Sequence, residues 1–151
     1  MAALRCTLNI PSKAITATTP TCFGFLTSAS NQRVKVLAYG FFFDGQVNTN
    51  QPVEIKIARP TAGTLTSGGT IIKDEPGMAE TPTTTAGLAA SVEPTLTASL
   101  VYKTLTVHPQ FGYEWIAPMG QEEQLAGGTN WVVSINAPNA VNVRGYIKFE
   151  E

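Results

Sequence analysis

A chain of 151 residues suits one domain folded around one core. Its net charge is −1 and only 14% of its residues are charged, against roughly 25% in an average soluble domain. Lys and Arg are few and scattered, so no basic patch exists to neutralise phosphates, and direct DNA or RNA binding is not expected. No segment approaches the ~18 consecutive apolar residues of a membrane span.

The opening MAALRCTLNIPSK has no apolar run behind a basic stretch, so it reads as a first strand and not as a secretory signal. A soluble protein made in the cytosol is the expectation. In LRCTLNI, Leu4, Cys6, Leu8 and Ile10 alternate with Arg5, Thr7 and Asn9, the pattern of a half-buried strand. RVKVLAYGFFF (33–43) begins the same way and then turns continuously apolar, which predicts a central strand buried on both faces. DGQVNTNQP is a loop dense in turn formers. Val53, Ile55 and Ile57 then mark another strand.

Residues 59–98 break the pattern. They are rich in Pro, Gly, Thr and Ala; TIIK offers one short strand, and Ala86 to Val92 one or two helical turns. We read 60–97 as an extended loop or arm, partly mobile alone and the part that meets a neighbour. Strands return at SLVYKTLTVH (99–108), where Val101, Leu105 and Val107 face one way and Tyr102, Thr104, Thr106 and His108 the other. GYEWIA follows a Pro-containing turn, which makes 107–123 hairpin architecture, and EEQLAGG is a short strand. NWVVSINA and AVNVRGYIKFE form a second hairpin through Pro138 and Asn139, with Val141, Val143, Ile147 and Phe149 inward. Twenty threonines, β-branched and suited to a pleated surface, fit the same bias. Eight to ten strands without a long amphipathic helix predict a single all-β domain over 1–151, an antiparallel β-sandwich of jelly-roll type.

The residues carry little chemistry. His108 is the one histidine, whereas a zinc site draws on three or four ligands, mostly His and Cys. A triad would need Asp44, Asp74 or a glutamate, and no serine sits in a nucleophile elbow. Glu122 and Glu123 are adjacent, so in a strand they point to opposite faces; the facing pair of a glycosidase would need a distant partner such as Glu114. No catalytic, metal-binding or cofactor-binding residues are assigned, and a non-enzymatic protein is expected. Cys6 and Cys22 read as buried free thiols, with a disulfide as the alternative. Strand alternation puts Phe111, Tyr113 and Trp115 on one face. That row is either core or an exposed platform for a sugar ring or a protein partner.

Three stretches, GFFFDGQVNTNQPVEIKIARP, HPQFGYEWIAPMGQEE and NAPNAVNVRGYIKFEE, together resemble small proteins encoded among tailed-phage virion genes. The likeness covers about residues 34–60 and 105–151. Met119, where the pattern has a second turn residue, and the Lys148-Phe149 ending depart from it. The resemblance implies a capsid decoration or cement protein on the virion surface, made in the bacterial host, binding the major capsid protein as a homotrimer. It brings no catalytic or ligand residue. The alternative is a carbohydrate- or receptor-binding module of a phage head or tail, using the Phe111–Trp115 face.

Overall fold

The computed structural model describes residues 3–17, 19–44, 51–60, 63–66 and 68–151. The expected loop after Phe43 lies mostly outside these residues. The chain runs through β1 (Arg5–Ile15), β2 (Thr21–Thr27), β3 (Val34–Phe43) and β4 (Val53–Ala58). Four short strands follow: β5 (Thr64–Thr66), β6 (Ile71–Lys73), β7 (Thr85–Gly87) and β8 (Ala89–Val92). The path closes with β9 (Val101–Val107), β10 (Tyr113–Ile116), β11 (Glu123–Leu125), β12 (Asn130–Asn136) and β13 (Val141–Glu150).

The protein is all-β and folds as an antiparallel β-sandwich. One sheet has the order β10-β3-β13-β1-β6, with β11 also paired to β3; the other has the order β7-β2-β12-β4-β9. Alternation along each strand supplies the core. Leu4, Cys6, Leu8 and Ile10 are buried, as are Val53, Ile55, Ile57, Val141, Val143, Ile147 and Phe149. Leu8 sits opposite Ile147 and Cys6 opposite Phe149. Each large aliphatic group removed from water is worth about 1.5–3 kcal/mol.

Neither expected hairpin forms. β9 and β10 lie in different sheets, and so do β12 and β13. Inward alternation is the same whether a strand pairs with its chain neighbour or crosses to the facing sheet, so the pattern alone did not discriminate. β3 also departs from expectation. It is central, but its outer face is only partly covered, and Phe42 is 40% exposed. Its long apolar run reflects a bulge: Lys148 pairs with Ala38 and Phe149 with Val36, which leaves Leu37 as an extra residue. Val34 and Val36 face the core before the bulge, and Tyr39 and Phe41 after it.

The 60–97 excursion leaves the sheets between β4 and β9 and returns over them. Ala86 to Val92, expected as helical turns, is instead strands β7 and β8. β6 pairs with β1 and β7 with β2, covering one edge of each sheet. The β5-β8 ribbon lies over Cys22, Phe25 and Val132 on the outer side of the second sheet, with Leu65 and Ala90 completing a small second core. The fit there is tight, because a Cβ on Gly87 would fall 1.8 Å from the Phe25 ring. Polar anchors hold the excursion down. Lys13 Nζ donates to the Leu88 carbonyl at 2.8 Å, and Glu93 accepts the Cys22 N–H at 2.6 Å. Glu151 accepts the N–H groups of Thr83 and Thr84 at 2.7 and 2.9 Å. Cys6 in the main core and Cys22 under the ribbon are both free and buried.

Candidate functional site

The segment from β9 to β11 holds the aromatic row singled out in the sequence, and it divides into two parts. Phe111 belongs to the turn between the sheets, where its N–H donates to the His108 carbonyl at 3.1 Å, and it is 83% exposed. The strand itself starts at Tyr113, so the three rings do not share a face. Tyr113 and Trp115 turn inward. Trp115 stacks on Tyr39 with ring centroids 4.9 Å apart, and Tyr113 lies nearly parallel to Phe41 at 6.4 Å. The row is therefore neither wholly core nor a platform of three: Tyr113 and Trp115 are half-buried against the core, and Phe111 alone stands in solvent.

The residues that β10 turns outward, and those just beyond it, are different in kind. Glu114 accepts a hydrogen bond from the Tyr146 hydroxyl. Ile116 is 67% exposed and Met119 is 98% exposed. Stacking of Tyr113 and Trp115 thus packs one side of a short strand against the core while large apolar side chains stand in solvent around it.

The remaining sequence candidates are spread out. His108 is half-buried; its Nδ1 accepts the Gln110 N–H at 3.3 Å and its ring lies 5.9 Å from that of Phe111. Asp44 pairs with Arg144 and accepts from Ser12, while Asp74 pairs with Lys148 and accepts from Thr7. Glu122 accepts the Gly120 N–H at 3.0 Å, and that backbone bond holds its carboxyl below the usual range. Among the described residues no group of three His, Cys, Asp or Glu is placed to hold a metal ion.

Glu123 is the group that the sequence reading undervalued. Its side chain is only 10% exposed and points between the sheets. One carboxylate oxygen accepts from Lys103 Nζ at 2.9 Å and from the Tyr39 hydroxyl at 3.4 Å. The other accepts from Trp131 Nε1 at 3.0 Å and from the Tyr102 hydroxyl. Lys103 also donates to the Tyr39 oxygen at 2.8 Å and sits 4.3 Å from the Trp115 ring centroid. Burial, and then the Glu123 charge, push the Tyr39 and Tyr102 hydroxyls far above their ordinary range, so both stay protonated as donors. With two donors on each oxygen, the carboxylate is saturated. Such a group fastens structure and has no free lone pair to offer a substrate proton. The cluster draws on β3, β9, β11 and β12 and so ties the two sheets together along one side.

A signal for this cluster was present in the sequence. Lys103 occupies the inward parity of Val101, Leu105 and Val107, and Glu123 that of Leu125. A charge on the apolar face of a strand calls for a partner, and here there are two of opposite sign. Compared with known proteins, the chain matches no family model, no curated protein and no solved structure.

Proposed function

We propose that this chain is a non-enzymatic virion structural protein, a decoration or cement protein that binds the major capsid protein of a tailed phage and stabilises the head. The observation that carries the reading is the set Phe111, Ile116 and Met119, three large apolar side chains exposed on and beside β10, whose Tyr113 and Trp115 pack inward. Large apolar groups exposed beside a strand whose neighbours are packed inward are what the anchors of an interface require. The strand order adds support. β1-β13-β3-β10 facing β2-β12-β4-β9 is the order we read as a jelly roll, an architecture found among viral capsid domains.

In this reading the protein acts as a homotrimer, with protomer contacts on the edge strand β9 and the excursion. Three sites engaging a symmetric shell together raise affinity through effective concentration, without new contacts per subunit. Binding through apolar anchors depends only weakly on salt. Co-sedimentation with capsids lacking the protein tests the proposal, with light scattering for the oligomer. Wild type should pellet at low and high salt, while Phe111→Asp and Met119→Asp, both folded, should stay in the supernatant. A monomer that dissociates in moderate salt, or variants that bind like wild type, would overturn it.

A further inference from the structure

We infer that the outer face of the second sheet carries a binding site for a small aliphatic α-amino acid, beneath the chain that runs from β8 to β9. The site contains no residue of the 111–119 segment, and the inference does not depend on the capsid reading.

The site follows from register. β12 and β4 pair so that Asn136 lies opposite Glu54 and Ser134 opposite Lys56. Val133, Ile135, Ile55 and Ile57 of the same strands are buried in the core, so alternation turns these four polar residues to the outer face. Pro94 and Leu96, from the chain between β8 and β9, and Pro20, just before β2, close the row into a cavity of about 160 Å³. That is room for about five waters, or for one small molecule of similar size. Two polar groups here have no protein partner. Asn136 Oδ1 is buried and accepts no hydrogen bond. The Ser134 side chain, on a residue only 5% exposed, makes none among the described residues. Buried polar groups are costly to leave unpaired, so two of them lining one cavity call for a ligand that pairs with both.

The polarity of the row selects the chemical class. Glu54 and the amide oxygen of Asn136 offer acceptors at one end, where an ammonium group fits. Lys56 and the Ser134 hydroxyl offer donors at the other, where a carboxylate fits. Glu54 Oε2 and Lys56 Nζ lie 3.1 Å apart, both partly exposed. The two charges of the ligand must therefore lie equally close, as they do when a single carbon carries both. A zwitterion laid antiparallel on this pair meets an opposite charge at each end and leaves the site neutral. A lone cation or anion would gain one partner and face one like charge. Pro20, Pro94 and Leu96 supply an apolar wall for a short aliphatic side chain, and the small volume leaves no room for an indole.

The test is an NMR titration of the ¹⁵N-labelled protein with glycine, alanine and valine. Acetate, methylamine, 4-aminobutyrate and tryptophan serve as controls for each charge alone, for charges set further apart and for size. At least one of the three amino acids should bind at millimolar concentration or below and ahead of every control, with shifts centred on residues 54–56, 94–96 and 134–136. Asn136→Leu and Ser134→Ala, each with a wild-type-like spectrum elsewhere, should weaken binding by about tenfold or more, whereas His108→Ala should not. Lys56→Met, a change at a partly exposed position, should erase the preference for alanine over methylamine. Absence of shifts with all three amino acids, which would leave the cavity to water alone, overturns the inference. So does an equal response to any control, a set of shifts centred elsewhere, or full affinity in folded Asn136→Leu. Capsid binding by Asn136→Leu should be unchanged, which keeps the two proposals separable.

Discussion

Replacing Glu123 by Ala removes the acceptor at the centre of the cluster that closes the β9 and β11 side of the sandwich. The cost can be worked from its partners. Removing one member of a buried ion pair costs about 3–5 kcal/mol. Here the orphaned groups retain some company, which points to the lower end. Lys103 keeps the Tyr39 oxygen and the Trp115 ring, Trp131 Nε1 keeps the Tyr102 oxygen, and Tyr102 is 41% exposed and can turn to water. A loss of about 3 kcal/mol corresponds to roughly 6–12 °C in Tm for a domain of this size. Lys103→Met should cost less, since three neutral donors still satisfy the carboxylate. The double variant Lys103→Met, Glu123→Leu should be more stable than the Glu123→Ala protein, because an apolar pair leaves no buried charge. Urea denaturation and calorimetry on the four proteins complete the comparison. A Glu123→Ala protein within about 2 °C of wild type, on the order of 1 kcal/mol or less, would refute the view that this cluster joins the sheets.

Three further outcomes are expected. Burial pushes the thiol of Cys22 up to about 12 and that of Cys6 to about 11, so neither should be alkylated by iodoacetamide in the native protein at pH 8. Glu93→Ala, which frees the Cys22 N–H under the ribbon, should speed labelling of Cys22 and not of Cys6 by mass spectrometry; equal rates would contradict the ribbon's role as a cover. Burial raises the Asp74 carboxyl, but hydrogen bonds from Lys148 and Thr7 outweigh it and leave the group below its ordinary range. Its stabilising effect is thus present above the unfolded carboxyl pKa of about 3.9 and fades as pH falls through the lower folded value, so Asp74→Asn should narrow the gap to wild type in acid urea melts. His108→Ala should leave capsid binding intact and change stability by no more than about 1 kcal/mol; loss of binding in the folded variant would show that His108 has a role its contacts do not reveal.

Which residues face the core was legible wherever alternation was clean. Leu4 to Ile10, Val53 to Ile57 and Val141 to Phe149 are buried as their period of two requires. β2 was harder to see, because a bulge beside Phe23 and the cover on Cys22 and Phe25 give it a continuous run of buried residues where alternation would be expected. Strand partners were also beyond reach. A tight turn such as Pro138-Asn139 can close a hairpin or carry the chain across to the facing sheet, and only long-range pairing decides between them. Within the excursion, β5, β7 and β8 were not legible, because Thr, Gly and Pro conceal how little apolar area a short strand needs when it only covers an edge or pairs with another ribbon strand. At the 111–115 row, alternation placed Tyr113 and Trp115 together correctly. It failed at Phe111, where the turn after Pro109 precedes the strand and resets the parity.

The central claim is attachment to a phage head, and a cryo-electron microscopy reconstruction of tailed-phage capsids incubated with the chain tests it most directly. The account predicts trimeric density on the outer surface, seated at symmetric positions, with the 111–119 segment against the shell. Shells that show no added density at saturating protein, or density attached through a face that leaves Phe111, Ile116 and Met119 in solvent, would contradict it.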